Sequence, residues 1–360
     1  MVFFGLSLYK TRLVMDTSKI EISTINSLVK LSTNYLKDYT YGAFEQRKVL
    51  AIFDDNTYSL FFAKIKNSLF KNCRVFNFVI FNGEKDKSLS SAEKCYNIMC
   101  ENEFTSADFV VSVGGGVVSD LGGFVAGTFN RGIAHVIIPT TLLSIIDASI
   151  GGKASLNNVY AKNKIGIYHN PKKILCDIAF LDSLPDKEWK AGYGEIVKYA
   201  LLSGGKLLDN AILSINDNLA EIITECIEYK MSIVETQNTE LRNLLSFGHT
   251  VGYAIEKAGN YNIGHGMAVA TGLIVELLID GVINETSVSA IEVATGLVER
   301  YGLKADIKGL NIADYIKYDK KIRGSNITVI SLKEVGKPKA ISVPLDKFTA
   351  ALNEVLSDFK

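Results

Sequence analysis

The sequence lacks the features that mark several classes of protein. Lysine plus arginine and aspartate plus glutamate each number 39 in 360 residues, so no net charge favours nucleic acid or an anionic membrane surface as a partner. There are only five cysteines, an odd number, and none forms a Cys-x-x-Cys pair. Reduced thiols in a reducing compartment are predicted, with disulfides as the alternative. We therefore expect a cytoplasmic protein that recognises charged ligands locally.

Long hydrophobic runs are also lacking. The longest apolar stretch, residues 267–283, is interrupted by Glu276 and Asp280, which predicts a buried helix rather than a membrane span. Residues 1–8 are apolar, but the basic residues follow this segment instead of preceding it, unlike a signal peptide. The sequence therefore predicts neither membrane insertion nor export.

The apolar content, by contrast, is high. It reaches 48%, enough for two packed cores in a chain of this length. Short apolar strands alternate with helical periods up to about residue 138, which predicts a mostly parallel sheet covered by helices. Helical spacing dominates from residue 182, with one hairpin predicted over 327–332 and 339–343. We predict a Rossmann-like α/β domain, residues 1–181, and an all-α domain apart from that hairpin, residues 182–360.

Three consecutive glycines, Gly114 to Gly116, follow a predicted strand and precede a predicted helix. Bare backbone N–H groups in this setting bind dinucleotide phosphates. The GxGxxG spacing is not kept, because Ser119 takes the third glycine position, so a purely steric role remains the alternative. Asp54 ends an earlier predicted strand, where a carboxylate can bond ribose hydroxyls or cap a helix.

Two of the four histidines are candidate metal ligands. His249 lies in a segment, residues 241–258, that we predict as one helix, and His265 begins the next. Glu195 and Lys198 are three residues apart on another predicted helix and so point the same way. One glutamate and two histidines leave a catalytic metal such as zinc an open position. Two histidines sixteen positions apart are not a specific motif, so a structural role stays open.

A continuous helix over residues 241–258 would carry four polar side chains on one face. Arg242, Ser246, His249 and Tyr253 follow at i, i+4, i+7 and i+11. A cation, a hydroxyl, an imidazole and a phenol together predict the wall of a site rather than a core stripe.

Several cationic residues lie in predicted loops or at the end of a predicted helix, most of them near glycine or asparagine: Arg131, Lys153, Lys162 and Lys164, with Lys320 and Lys321 following Asp319. Each alone is typical of a solvated surface. Grouped in loops, they could hold a phosphate through charge-assisted hydrogen bonds.

The sequence resembles the 3-dehydroquinate synthase family of sugar phosphate cyclases over nearly its whole length, most strongly from residue 110 to 272. The resemblance is carried by GGGVVSDLGGFVAGTFNRG, PTTLLSIIDASIGGK, KNKIG, GEIVKY, LRNLLSFGHT and HGMAVATG. It implies an NAD-binding domain followed by a helical metal-binding domain.

The resemblance also implies roles for individual residues. Zn²⁺, or Co²⁺, would be held by Glu195, His249 and His265. NAD would be contacted by Asp54, Asn56, Glu84, Lys87, Gly115, Gly116, Asp120, Thr140, Thr141 and Lys162. The substrate would be contacted by Asp147, Lys153, Asn163, Lys198, Lys230, Arg242 and one of Lys320 and Lys321. Arg131 would reach into the neighbouring subunit's site, which implies a homodimer.

The implied activity is the conversion of 3-deoxy-D-arabino-heptulosonate 7-phosphate to 3-dehydroquinate and phosphate, a lyase step of the shikimate pathway to aromatic amino acids. NAD would be reduced and reoxidised within each turnover. Three positions depart from the family pattern: Ser246 stands where asparagine is usual, Tyr253 where histidine is usual, and Met267 where glutamate is usual. Another sugar phosphate cyclase that makes a different cyclitol, or a metal-dependent polyol dehydrogenase, therefore stays an alternative.

Overall fold

The computed structural model describes residues 19–23, 28–32, 41–160, 162–236, 238–284 and 288–359. The chain divides into two compact units, one ending at Ser183 and the other beginning at Leu184. The boundary expected from sequence lay between residues 181 and 182. The apolar segment 1–8, on which the export prediction depends, lies outside the described residues.

The first unit is built on a seven-stranded sheet and a separate hairpin. The strands of this unit are β1 (Lys19–Ser23), β2 (Leu28–Ser32), β3 (Lys48–Asp54), β4 (Arg74–Ile80), β5 (Phe109–Gly114), β6 (Ala134–Pro139), β7 (Lys153–Leu156), β8 (Ile165–Tyr168) and β9 (Lys173–Asp177). The large sheet has the order β1-β2-β9-β6-β5-β3-β4, and β7 pairs with β8. In the large sheet, every described pairing except β1–β2 is parallel.

Helices cover both faces of this sheet. They are α1 (Asp55–Asn67), α2 (Leu89–Glu101) and α3 (Gly116–Thr128). Val49 of β3 packs in one apolar cluster with Ile65 of α1, whereas its neighbour Leu50 packs in another with Leu121 of α3. Successive strand residues point to opposite faces, so α1 and α3 lie on opposite sides. The predicted parallel sheet covered by helices is confirmed.

The direction of the crossovers reverses between two neighbouring strands. From β3 the chain passes through α1 to β4, toward one edge of the sheet. From β5 it passes through α3 to β6, toward the opposite edge. The carboxyl ends of β3 and β5 carry Asp54 and Gly114. Open α/β sheets bind ligands at such a reversal point.

The second unit is mainly helical. The helices are α4 (Asp186–Ser203), α5 (Gly205–Leu213), α6 (Leu219–Glu235), α7 (Thr239–Leu244), α8 (His249–Ala258), α9 (His265–Asn284), α10 (Val288–Arg300), α11 (Ala313–Ile316) and α12 (Leu345–Asp358). The predicted hairpin is present as β11 (Asn326–Ser331) and β12 (Lys339–Pro344), and β10 (Ile322–Arg323) adds a third antiparallel strand. The helical character is confirmed, but the unit is not purely α-helical.

The helix α9 forms the centre of the second unit. Among the described residues it is the one helix long and apolar enough to cross a membrane, but 72% of its most apolar window is buried inside the protein. Glu276 and Asp280 are buried with it. The predicted buried helix is therefore confirmed.

The single helix predicted over residues 241–258 is wrong. Four residues separate α7 from α8, and in this break Gly248 has a φ of 76°, in the left-handed region that favours glycine. Arg242 and Ser246 therefore do not share one continuous helical face with His249 and Tyr253. Only the last two remain four residues apart on one helix.

Candidate functional site

Three helices of the second unit bring the predicted metal ligands together. Glu195 lies in the middle of α4, His249 is the first residue of α8, and His265 is the first residue of α9. The Oε1 atom of Glu195 is 3.3 Å from the Nε2 atom of each histidine. One donor atom from each residue lies within 4.8 Å of the others, so all three can bind one ion.

Glycines next to these ligands allow the helix backbones to approach closely. A Cβ atom on Gly194 would lie 2.3 Å from the carbonyl oxygen of Gly266, which places α4 directly against α9. A Cβ atom on Gly272 of α9 would lie 2.2 Å from the carbonyl oxygen of Gly248, just before α8. Any side chain at these positions would push the helices, and with them the ligands, apart.

The two imidazoles are oriented by hydrogen bonds on their outer side. His249 Nδ1 lies 3.0 Å from the Phe247 carbonyl oxygen, and His265 Nδ1 lies 3.3 Å from Glu256 Oε1. Because a carbonyl and a carboxylate only accept, each Nδ1 carries the proton and each Nε2 can present a lone pair toward Glu195. Outer partners of this kind orient metal-binding histidines.

The Glu195 carboxylate provides the test of whether a cation fits. Both of its oxygens are buried and lack a hydrogen-bond partner in the described residues; Oε2 is ion-paired with the Lys198 ammonium, whereas two imidazole nitrogens lie near Oε1. A buried carboxylate oxygen without a hydrogen-bond partner is costly, and a divalent cation held by Oε1 and the imidazoles would satisfy it. One oxygen and two nitrogen donors are also typical zinc ligands, so the residues fit this group.

Charge keeps the glutamate ionised. Burial would raise the pKa of Glu195, but the Lys198 ammonium and the neighbouring histidines hold it well below its usual range. Burial also opposes protonation of His265, yet the carboxylates of Glu195 and Glu256 raise the pKa of that imidazole to about 10. A metal and a proton therefore compete for His265 Nε2.

The predicted substrate-binding cations of this unit lie on neighbouring elements. Lys198 forms an ion pair with Glu195 and donates to the Leu245 carbonyl oxygen over 3.1 Å. Arg242 donates from Nη2 to the Val234 carbonyl oxygen over 2.7 Å, one helical turn beyond Lys230 on α6. The Arg242 Nε atom is buried and has no hydrogen-bond partner in the described part of the chain.

The Lys320–Lys321 pair is divided by the fold. Lys321 Nζ lies 3.5 Å from the carbonyl oxygen of Ser246, in the break before the metal-binding helix, whereas Lys320 is exposed. Lys321, rather than Lys320, therefore lies against the segment that precedes His249. Sequence spacing alone could not separate two adjacent lysines.

Tyr253 lies beside the metal ligands, one turn after His249. Its ring is edge-on to the His249 ring at 5.3 Å and lies 6.3 Å from the His265 ring. The side chain is half exposed. It therefore lies on the solvent side of the His249–His265 pair.

In the first unit, the predicted nucleotide-binding residues lie at the carboxyl edge of the sheet. Asp54 Oδ1 caps α1 by accepting from the Thr57 amide over 2.9 Å, so the helix-cap alternative is present. Its Oδ2 atom lies 3.2 Å from where a Gly114 Cβ would sit. The amide of Thr140 donates to the Gly114 carbonyl oxygen over 3.1 Å, which joins the ends of β5 and β6.

The glycines open the N-terminus of α3. Gly115 is its N-cap and Gly116 its first residue, and a Cβ on Gly115 would meet Thr141 at 3.3 Å. The first-turn amides of a helix attract phosphate groups. Asn56 is exposed in the first turn of α1.

A buried lysine contacts three other predicted residues, two of which are distant from it in sequence. Lys87 Nζ lies 3.0 Å from Glu84 Oε1 and 3.0 Å from Asp120 Oδ2, and it donates to Asn163 Oδ1 over 2.6 Å. Burial raises the pKa of Asp120 even though Lys87 opposes the shift. Ser155 also donates to both Asp120 and Asn163, a contact that sequence reasoning missed.

Four further predicted residues of the first unit lie outside these clusters. Asp147 lies in the turn after β6, Lys153 begins β7, and Lys162 lies in the loop between β7 and β8. Lys153, Lys162 and Arg131 are exposed. Within the described residues Arg131 makes no hydrogen bond or ion pair, and its φ is 64°.

Two metal-site residues were not predicted as such from sequence. Glu256 follows His249 by seven residues, which places both on one face of α8 and could have indicated the contact with His265. Glu276 was noted in the sequence only as a charge that interrupts an apolar stretch. Its contacts are with residues outside its own helix, which local sequence spacing does not indicate.

Comparison with known proteins identifies similar families. Residues 77–191 match the family model described as 3-dehydroquinate synthase N-terminal, and residues 192–322 match 3-dehydroquinate synthase C-terminal. A protein named 3-dehydroquinate synthase from Bacillus cereus is 33% identical over 323 residues, which are 86% of this chain and 89% of that protein. The expected resemblance is confirmed.

Solved structures share the fold. A 2-deoxy-scyllo-inosose synthase complexed with carbaglucose-6-phosphate, NAD⁺ and Co²⁺ superimposes with a TM-score of 0.82 at 24% identity, covering 94% of this chain and 99% of that one. A 2-epi-5-epi-valiolone synthase from Streptomyces hygroscopicus with NAD⁺ and Zn²⁺ bound gives a TM-score of 0.82 at 21% identity, covering 94% and 98%. These likenesses confirm the fold.

Proposed function

The chain belongs to the 3-dehydroquinate synthase family, and from this premise we propose that it converts 3-deoxy-D-arabino-heptulosonate 7-phosphate to 3-dehydroquinate and phosphate. The enzyme is a carbon–oxygen lyase that uses NAD and a divalent metal, Zn²⁺ or Co²⁺. The observation that carries the proposal is the convergence of Glu195, His249 and His265 around one point. When bound, the metal polarises substrate hydroxyls and NAD serves as a regenerated hydride acceptor.

The residues of the second unit hold and orient these groups. Glu195 supplies one carboxylate oxygen to the metal while Lys198 pairs with its other oxygen. His249 and His265 supply Nε2 atoms whose direction is fixed from behind. Three protein ligands leave a coordination position for substrate oxygens.

Arg242 supports a substrate that carries a carboxylate. Its Nε atom is buried without a hydrogen-bond partner in the described residues, and a carboxylate would satisfy it. Arginine presents a rigid donor fork that suits carboxylates, and Lys230 lies one turn from its anchor at Val234. The heptulosonate has a carboxylate, whereas phosphates of simple heptuloses and hexoses do not.

In the first unit, we assign NAD to the reversal point of the sheet. The contacts carried over from the family are Asp54, Asn56, Glu84, Lys87, Gly115, Gly116, Asp120, Thr140, Thr141 and Lys162. The first-turn amides of α3 receive the pyrophosphate. Substrate contacts are assigned to Asp147, Lys153, Asn163 and Lys321, with Lys320 as the alternative to the last.

Turnover with substoichiometric NAD tests this function. We expect phosphate release from the heptulosonate phosphate to exceed the NAD present many times over, without net accumulation of NADH. His249→Ala serves as the metal-free control. Release only from heptulose or hexose phosphates would favour a different cyclase, and stoichiometric NADH formation would favour a polyol dehydrogenase.

We also propose a homodimer in which Arg131 serves the neighbouring site. Its exposure and its lack of a partner within the described residues support this role. Arg131→Ala and His249→Ala should each be inactive, yet their mixture should regain up to about a quarter of the activity after subunit exchange, because half the dimers then contain one complete site. No regain despite exchange would exclude the role.

A cytoplasmic location is part of the same proposal. All five cysteines lie in the described residues, and none forms a disulfide. Reduced thiols are typical of a reducing compartment.

A further inference from the structure

The helix that carries His249 begins without a side-chain cap of its own. Its N-cap residue is Gly248, and the first-turn amides of any helix need acceptors from elsewhere. Glycine in the left-handed region also makes the backbone before His249 easy to rotate. The start of α8 must therefore be fixed by another part of the chain.

Glu276 of the neighbouring helix α9 supplies this cap. Its Oε2 atom accepts from the Gly248 amide over 2.9 Å, and its Oε1 atom accepts from the Val251 amide over 3.1 Å. The side chain is only 4% exposed, in a helix whose buried residues are mostly apolar. Both carboxylate oxygens are thus used on the two sides of His249.

The break before α8 is held by opposite charges at its two ends. Lys198 donates to the Leu245 carbonyl oxygen over 3.1 Å, and Lys321 lies 3.5 Å from the Ser246 carbonyl oxygen, where α7 has just ended. Glu276 faces the amides where α8 starts. Cations at a helix C-terminus and an anion at an N-terminus complement the helix dipoles.

This arrangement connects Glu276 to the metal. The direction of the His249 ring depends on the hydrogen bond between its Nδ1 atom and the Phe247 carbonyl oxygen, which lies inside the break. Rotation about Gly248 would move that oxygen and the first residue of α8 relative to each other. We propose that Glu276 is a positioning residue that caps α8 from α9 and thereby fixes His249 as a metal ligand.

The inference rests on the metal site of the proposed function, and Asp280 provides a matched control for it. Asp280 lies one turn further along α9 and is 3% exposed. Its Oδ2 atom accepts from the Ser331 hydroxyl over 2.9 Å and from the Leu332 amide over 3.2 Å. It is an equally buried carboxylate on the same helix that also accepts from Asn284 Nδ2 over 2.8 Å, but it holds the end of β11 rather than α8.

The experiment measures metal affinity and spectrum in chelator-treated protein. Glu276→Met removes both hydrogen bonds, Glu276→Gln keeps an acceptor for one, and Asp280→Asn is the control. Zinc affinity is measured by competition with a chromogenic chelator, ligand geometry by the Co²⁺ absorption bands, and folding by the thermal midpoint without metal. Zinc affinity, rather than stability, distinguishes a positioning residue from a merely structural one, because substitutions at Glu276 and at Asp280 should both change the stability of the protein.

We expect Glu276→Met to weaken zinc binding about 10- to 100-fold, as losses of outer-shell partners do, and to alter the Co²⁺ bands. Glu276→Gln should give a smaller loss. Asp280→Asn should lower the metal-free midpoint and leave affinity and bands unchanged.

Two results would overturn the inference: wild-type affinity and bands in a folded Glu276 variant, or an equal loss of affinity in Asp280→Asn. If Glu276→Met does not fold, Glu276→Gln decides. Wild-type protein that binds no zinc would refute the metal site itself, whereas wild-type binding without an effect of Glu276 refutes only the capping role.

Discussion

Alanine at Gly194 sets two opposing contributions against each other at the metal site. Gly194 lies in the interior of α4, next to the ligand Glu195, where alanine is intrinsically favoured over glycine by about 1 kcal/mol. Its Cβ, however, would lie 2.3 Å from the Gly266 carbonyl oxygen and 2.7 Å from the Gly266 Cα. Both contacts are to backbone, which cannot rotate away as a flexible side chain can.

The geometry decides which contribution dominates. Ordinary contact begins at 3.4 Å, so α4 and α9 must separate locally by about 1 Å. Overpacking costs about 1–3 kcal/mol, and because these contacts are to backbone we expect the upper half of that range, about 2–3 kcal/mol, which exceeds the gain of about 1 kcal/mol in helix propensity. The resulting net loss of about 1–2 kcal/mol lowers the thermal midpoint by about 2–8 °C in a unit of this size. Metal–ligand distances tolerate only about 0.2 Å, so zinc affinity should fall at least about tenfold.

Gly281→Ala on α9 is the matched control. Its Cβ would meet only Ile291 Cδ1, at 3.9 Å, so no backbone has to move. It should therefore raise the free energy of unfolding by up to about 1 kcal/mol and leave zinc affinity unchanged. Calorimetry and chelator competition on both variants provide the measurement.

The reasoning would be refuted if Gly194→Ala stabilised the protein as Gly281→Ala does and bound zinc with wild-type affinity. That result would mean that α4 and α9 are not in backbone contact beside Glu195 and His265. A loss of stability without a loss of affinity would separate helix packing from ligand placement.

Four further experiments test the assigned roles. His249→Ala should abolish zinc binding and turnover while far-UV circular dichroism stays native; full activity with one equivalent of bound metal would contradict the ligand assignment. Lys87→Met removes the ammonium from the acidic cluster and should weaken NAD binding in a fluorescence titration, so unchanged affinity would argue against NAD at that cluster. Tyr253→His should keep most of the activity, and a large loss would give the tyrosine a distinct role. Lys321→Ala should raise the KM for substrate more than Lys320→Ala, and the reverse order would return the assignment to Lys320.

Much of the fold could be predicted from the periodic spacing of apolar residues alone. β3 and β5 are apolar runs between clear helical patterns, and the structure contains both. β7 and β8 were not predicted, because four-residue strands with polar or glycine positions give too short a period-two signal. The break before α8 was missed because Gly248 can also lie inside a helix. Contacts from Lys198 and Glu276 decide where the helix stops.

The candidate site was harder to predict than the fold. Glu195 and His249 are 54 positions apart in the sequence, and no local pattern indicates that their helices meet. The backbone contact at Gly194 brings them together, and such contacts depend on tertiary structure. The same holds for Lys87 and Asn163, which are 76 residues apart in the sequence. Residue type suggested grouping Glu195 with the two histidines, and the family resemblance implied the same ligand set, whereas neither indicated the contact between Lys87 and Asn163.

The three side chains proposed to bind the metal are buried to different depths, so the proposed site has a fully buried side and a more exposed side. The side chain of Glu195 is 0% exposed, that of His249 11% and that of His265 29%. Solvent therefore reaches the ion from the His265 side, which is also the side on which an added oxygen ligand can approach. Substrate and chelator must then approach a bound metal from the same side. A bound substrate would block the chelator, so the rate at which the chelator extracts the metal would report the fraction of enzyme that has substrate bound.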